Sequence, residues 1–551
     1  MARPVVSNQR KILCVFPKHH NDFATFRYSF KFFPQTKALM PPQGILTIAA
    51  YLPKEWEVRF IDENVHTVKD ADYAWADVVL TSGMHTQREF LESIAEHAHA
   101  HGKLAVIGGP SVSACPEWYP TFDMLHVGEM GDATDELIAM LDRSIERPSA
   151  QLQFKTVNRL PLEDFPIPAY HLIKAQHYLM VSVQWSSGCP YSCEFCDIPA
   201  LYGRNPRYKS AERLIAELEV ILAQDPLGAV FFVDDNLIGN KKAFKLLLPK
   251  LADWQKRTNY RLKFLGECSL NLAQDKPILE LMRAAHFTDL FFGVESPEEL
   301  ALEAMDKHQN TRMPIPEAVK IINSYGIGLT AGMIIGLDTD SDQTVERLAA
   351  FQKETQVPLM VMNVLYAPPK TALWERLNRE GRIIPRDSVV ASNVKFKDGE
   401  EVVLRRWRKA IERASDPQEM FDRFRYHAAT TYKNRLPLPS ARGRFTRTQV
   451  LAGLWSIATM IVLMGIFASY RRQYWRFAVA MLRAGMFEQL VYASTMSYHV
   501  VRFRDDVLKG AAKACFHAEQ STMAEEKSPG LLPDKSLVRL RLAARSSSPS
   551  L

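Results

Sequence analysis

Cys189, Cys193 and Cys196 stand in the run Cys189-Pro190-Tyr191-Ser192-Cys193-Glu194-Phe195-Cys196, directly after the apolar stretch Val181–Trp185 and a Ser-Ser-Gly turn. Three thiolates at Cys-x3-Cys-x2-Cys spacing can fold round one cubane iron–sulfur cluster and leave one iron without a protein ligand. A pure electron carrier ligates all four irons, so an open iron points to a substrate or cofactor that binds there. The competing readings are three buried thiols or a partial zinc site, although structural zinc asks for four protein ligands.

The spacing, with Phe195 just before the last cysteine, resembles the radical S-adenosylmethionine (SAM) enzymes. That resemblance implies a 4Fe–4S cluster on Cys189, Cys193 and Cys196, with the amino and carboxylate groups of SAM on the open iron. Electron transfer then splits SAM into methionine and a 5′-deoxyadenosyl radical. A small reductant protein of the flavodoxin or ferredoxin type is implied as partner.

Other elements must position these residues. Between residues 10 and 150 short apolar runs (Ile12–Phe16, Val58–Ile61, Val78–Thr81, Leu104–Ile107, Met124–Val127) alternate with helical patterns. The alternation predicts an α/β fold with a doubly wound, Rossmann-like parallel sheet. Ligands of such sheets sit at the carboxyl ends of the strands, where Ser82-Gly83, Gly108-Gly109 and Gly128-Glu129 fall. Glycines there let backbone amides approach a phosphate-bearing ligand, and a plain scaffolding sheet carries such glycines too. Placed before the cysteine run, this sheet resembles the cobalamin-binding domain of one radical SAM subclass. The resemblance implies cobalamin contacts at Ser82, Gly83, Gly108, Gly109, Gly128 and Glu129. The loop after the first strand, Phe16-Pro17-Lys18-His19-His20-Asn21-Asp22, lacks the Asp-x-His-x-x-Gly that puts a histidine on cobalt in other cobalamin domains. His19, His20 and His85 read as solvated or hydrogen-bonded loop histidines, so cobalamin is expected without one on its metal.

A proline-rich linker, residues 151–175, leads to six βα units across 176–385. Their strand-like runs are Val181–Trp185, Ala229–Asp234, Leu262–Glu267, Leu290–Glu295, Leu329–Ile335 and Leu359–Tyr366. Six such units predict a partial (βα)6 barrel with its chemistry at the carboxyl ends of the strands. Asp234, Glu267 and Glu295 fall there, as carboxylates for an amine or ribose, or equally as ion pairs and helix caps. Gly332 and Gly336 would let an adenine lie against backbone. The radical SAM resemblance implies SAM contacts from Phe195, Asp234, Glu267, Glu295, Gly332 and Gly336. Cys14, Cys115 and Cys268 read as core or loop thiols.

Residues 395–510 predict a helical domain, and 521–551 a disordered tail rich in Ser, Pro, Lys and Arg. Thr448 to Tyr470 is uncharged and long enough to span a bilayer, with Arg442, Arg444 and Arg447 before it and Arg471, Arg472 and Arg476 after it. A core helix, a helix lying on a membrane surface and a true span all fit this stretch. In a chain of 551 residues the seven cysteines, including Cys515, are partly clustered and partly scattered, which is no disulfide framework. The N-terminus lacks the apolar run of a secretory signal. The net charge of +6 comes without a nucleic-acid motif, so nucleic acid is not an expected partner. A cytoplasmic protein, peripheral on the inner membrane if it meets one, is expected.

A cluster, a cleavable SAM and a corrinoid together point to methylation of a carbon that is not nucleophilic. An unactivated sp3 C–H has no lone pair, and no side-chain base can take its proton. Hydrogen-atom removal avoids that barrier, and cofactors carry such chemistry. No catalytic side chain is therefore expected beyond the cluster ligands. Within the subclass, Met40-Pro41-Pro42-Gln43-Gly44, Cys196-Asp197-Ile198-Pro199 and Val233-Asp234-Asp235-Asn236 resemble the methylases of hopanoid lipids. This implies methyl transfer to carbon 2 of a pentacyclic triterpenoid. The rivals are a tetrapyrrole cyclase, a methylase of another natural product, and an iron–sulfur carrier that leaves SAM intact.

Overall fold

The computed structural model describes residues 7–385, 391–436, 447–513 and 516–517. Cys515, Arg442, Arg444 and the tail 521–551 lie outside these residues.

The first sheet holds β1 (Lys11–Phe16), β2 (Glu57–Asp62), β3 (Val78–Ser82), β4 (Leu104–Gly108), β5 (Met124–Val127) and β6 (Leu152–Lys155). All pair in parallel in the order β2-β1-β3-β4-β5-β6. Ile12 and Cys14 pack on one face, Leu13 and Val15 on the other. Burial on both sides is why β1 reads as an unbroken apolar run. Five strands were expected. The sixth, β6, falls inside the stretch read as linker, because as an edge strand it alternates half-buried with exposed side chains.

The second sheet follows chain order: β7 (Val181–Val183), β8 (Ala229–Phe232), β9 (Lys263–Cys268), β10 (Phe287–Glu295), β11 (Gly328–Ile335) and β12 (Leu359–Val364). Every pair is parallel, and β7 and β12 are edges, so the barrel is open. Its helices begin where side chains cap them. Ser210 Oγ accepts from Arg213 N, Asn240 from Ala243 N and Asp275 from Ile278 N, which satisfies donors that a helix start leaves unpaired. Alternate residues of each strand face outward; Val230 and Phe232 join the layer with Phe244 and Phe264. The inward residues do not fill the interior as they do in a closed (βα)8 barrel. Phe231, Leu265, Phe291, Thr330 and Val361 instead line one cavity of about 2220 Å³, which reaches Ser82 and Gly108 of the first sheet.

The C-terminal helices are Glu400–Ala414, Pro417–Thr430, Arg447–Met460, Arg471–Arg483 and Phe487–Leu508; Phe421 and Phe424 of the second pack on Phe477 of the fourth, and Phe424 also meets Tyr492 of the last. These helices close the open side of the barrel together with residues 23–32, an insertion after β1. Ser29 Oγ donates to the Thr495 carbonyl at 3.1 Å, His499 Nε2 lies 2.8 Å from the Phe23 carbonyl, and Tyr28 bonds Asp506. Among the described residues no helix is long and apolar enough to cross a membrane, so the spanning reading of 448–470 falls away.

Candidate active site

The cysteine loop is built from the strand ends upward. Asp234, just past β8, accepts hydrogen bonds from Trp185 N at 3.1 Å, from Ser186 Oγ at 2.5 Å and from Ser186 N. Asp235 accepts from Gly188 N at 2.7 Å. The two carboxylates thereby fix the turn that delivers Cys189. Gly188 has φ +96, and a Cβ there would stand 2.9 Å from the Gly203 carbonyl oxygen, so a side chain is excluded on both counts. Farther along, Arg376 grips the Glu194 carboxylate at 2.5 and 3.1 Å, and the Glu194 amide donates to Met305 O at 2.9 Å.

The thiols share one field. Burial raises Cys189 and pushes Cys196 up to about 12, and in each case the neighbouring cysteines add to the rise. Three thiolates drawn so close need positive charge between them, which metal coordination supplies. Gln309 Nε2 lies 3.3 Å from Cys193 Sγ as a donor, and Asn236 hydrogen-bonds Cys189. Among the described residues no three side chains converge on a single-metal position. Cubane ligands stand farther apart than that, since each binds its own iron. The donor set therefore fits a cluster.

The residues expected around SAM divide into groups. Asp234 lines the cavity, but its carboxylate is fully engaged in holding the Trp185–Ser186 turn. Glu295 adopts φ +66 and pairs with Lys307 Nζ at 2.5 Å, and that ammonium lies 5.4 Å from the centre of the Phe195 ring. Glu267 faces the cavity and has no hydrogen-bonding protein partner among the described residues. Burial, then Asp235 and Glu295, push it up to about 7. Gly332 makes room for the Phe291 ring, 2.7 Å from where a Cβ would be, and the space beside Gly336 is filled by Phe396 and Val403. Cys268 points away, buried beside Ile238. Lys307 and Gln309 lie in a loop without a motif, and the sequence offered no signal for them.

All six residues expected around cobalamin, Ser82, Gly83, Gly108, Gly109, Gly128 and Glu129, line the same cavity. Gly109 has φ +97, and a Cβ would meet Ser82 Oγ at 2.3 Å. Glu129 spends its carboxylate on Arg207 at 2.5 Å and Arg159 at 3.0 Å, which ties the first sheet to the cysteine loop. The histidines are engaged locally. His85 lies 2.7 Å from Ser111 Oγ and His20 3.1 Å from Glu89, while burial lowers His19 and His85 to about 4.

Asp234→Ala strands buried amides of Trp185 and Ser186. We expect about 3 kcal/mol lost from stability and iron content well below wild type after anaerobic reconstitution, measured by thermal unfolding and iron assay.

A parallel sheet with glycine loops, an open six-stranded barrel that shares one cavity with it, and a three-cysteine loop held by the carboxylates just past β8 define a cobalamin radical SAM architecture. The comparisons agree: residues 35–138 match the B12 binding domain, residues 183–351 the radical SAM superfamily and residues 371–513 a domain of unknown function (DUF4070). The chain belongs to the cobalamin-binding radical SAM methylase family. It is 46% identical over 505 residues to the hopanoid C-2 methylase of Rhodopseudomonas palustris (strain TIE-1), covering 92% of this chain and 95% of that one. An uncharacterized methyltransferase of Synechocystis sp. is 34% identical, covering 86% and 88%. The radical SAM methyltransferase TsrM from Kitasatospora setae, solved with cobalamin and a 4Fe–4S cluster bound, superposes with TM-score 0.56 at 13% identity, covering 87% of this chain and 99% of that one. At that identity the likeness is one of fold.

Proposed function

We propose that the protein methylates carbon 2 of a hopanoid. Cys189, Cys193 and Cys196 would hold the cluster, and the first-sheet loops at Ser82, Gly83, Gly108, Gly109 and Gly128 would hold cobalamin. The observation that carries this reading is the hollow barrel. Phe231, Leu265, Phe291 and Val361 leave their inner faces open to a continuous cavity running from the first-sheet glycines past Asp235 and Glu267 to Lys263 and Tyr492. An apolar lumen of that length suits a rigid polycyclic hydrocarbon, and sites for such ligands are concave and apolar with few polar groups. Similarity over almost the whole chain to the hopanoid C-2 methylase supports the substrate class.

When bound, the three cofactors supply hydrogen-atom removal from an unactivated carbon and delivery of a methyl group. The chain's own residues bind and orient. Glu267 would accept from an N–H of the iron-bound amino group of SAM, and Lys307, held by Glu295, sets a positive charge beside Cys193 and Cys196. The apolar lumen walls keep water from the reacting carbon.

An ionised Glu267 is needed for this contact, so kcat/KM for SAM should rise with pH through about 7, the value burial gives its carboxyl, because that ratio reports the free enzyme. Glu267→Gln should flatten the limb and lower the plateau by about tenfold, close to 1.4 kcal/mol. Rates from pH 5.5 to 8.5 check this. The substrate assignment is tested by anaerobic reconstitution with SAM, reductant, cobalamin and diploptene. Mass spectrometry should find one added methyl on ring A; SAM cleavage with the lipid unchanged would discard the hopanoid reading.

A further inference from the structure

Twelve of the twenty-one large apolar side chains exposed among the described residues fall between Val450 and Phe487. They cover the outer faces of the Arg447–Met460 helix, the π-helical turn Ile461–Ile466 and the Arg471–Arg483 helix. Leu454 is 58% exposed, Phe467 70% and Leu482 52%. The inner faces are spent otherwise: Tyr474, Phe477 and Met481 are buried, Tyr474 and Phe477 against Phe421. An apolar surface of this extent marks an interaction site.

Charge chooses the partner. No carboxylate occurs between Asp422 and Glu488, while Arg471, Arg472, Arg476 and Arg483 stand exposed among the apolar residues. Apolar side chains interleaved with arginines on short helices suit the interface of an anionic bilayer, and no described helix can cross one.

The same surface adjoins the mouth of the cavity. Trp455 Nε1 donates to Lys31 O at 3.2 Å and Ser456 Oγ to Phe32 O at 2.5 Å, and Phe30 and Lys31 line the cavity rim with Phe487 and Val491. Phe487 belongs to both, 50% exposed on the apolar face and lining the cavity.

We infer that residues 450–487 dock the protein in the plane of an anionic membrane, with the barrel mouth against the bilayer, so that an apolar lipid enters the lumen without crossing water. The entry route rests on the lipid-substrate reading; the docking does not.

The test uses the full-length, cofactor-loaded protein and vesicles without hopanoid. It should sediment with phosphatidylglycerol–phosphatidylcholine vesicles at least tenfold more than with phosphatidylcholine alone, and added salt should weaken binding. The triple variants Leu454→Ser/Phe467→Ser/Leu482→Ser and Arg471→Gln/Arg472→Gln/Arg476→Gln should each lose at least tenfold in bound fraction. Each should still methylate detergent-dispersed hopanoid near the wild-type rate while losing at least tenfold on vesicle-embedded hopanoid. Should a variant fail to fold, hydrogen exchange on the wild type decides, with vesicles expected to slow peptides from 447–487 selectively. Wild-type protein that ignores anionic vesicles, folded variants that bind unchanged, or self-association abolished by the apolar variant would overturn the proposal, the last assigning the face to a second copy. Vesicle binding by a protein that never methylates hopanoid would instead fail the substrate reading alone.

Discussion

Replacing any one of Cys189, Cys193 or Cys196 by alanine is expected to remove the iron–sulfur chromophore and to lower SAM cleavage and methyl transfer together by at least about a thousandfold, some 4 kcal/mol of barrier. Two thiolates leave a second iron open, and the loop has no spare ligand: Cys268 is buried on the far side of β9, and Cys14 and Cys115 lie in the first-sheet core and its loop. The fold should survive, because the turn is held by Asp234, Asp235 and the Glu194–Arg376 pair, none of which needs the metal. Circular dichroism unchanged beside lost iron separates this result from unfolding. Zinc with no sulfide in the purified wild type, or turnover in the triple alanine variant, would contradict it.

Thr330→Trp is expected to lower lipid methylation about a hundredfold while SAM cleavage without lipid stays within about twofold, a selective barrier near 2.7 kcal/mol. Thr330 is the third residue of β11, between Phe291 of β10 and Leu359 of β12, and faces the cavity. In a packed core a Thr-to-Trp change would force neighbours apart and cost about 1–3 kcal/mol or more. In a hollow lumen the indole fills space that the substrate needs, so stability should change by less than about 1 kcal/mol. Strong destabilisation would mean the interior is already filled, and unimpaired methylation would mean the lipid binds elsewhere.

The sequence announces what repeats or is buried on both sides. Strands such as Ile12–Val15 stand out because neither face meets water, and the βα rhythm sets the barrel. It conceals features that depend on distant partners. Leu152–Lys155 alternates like any edge strand, and only pairing with β5 makes it part of the sheet. Residues 23–32 look like a loop until the C-terminal helix meets them. Asp234 reads equally as a cofactor ligand or a structural carboxylate, and its hold on the cysteine turn is hidden because nothing local distinguishes a free carboxylate from one accepting buried amides. Lys307 reaches Glu295 across a loop with no regular spacing. The hollow lumen is least legible of all, because it arises from inward side chains on five strands that fail to meet.

The most direct measurement uses hopanoid carrying deuterium at ring-A carbon 2, with anaerobically reconstituted protein, SAM and reductant. Deuterium should pass into 5′-deoxyadenosine, with methylated lipid and S-adenosylhomocysteine formed in equal amounts. Methylated lipid beside 5′-deoxyadenosine free of deuterium would contradict hydrogen-atom removal from that carbon as the basis of the reaction.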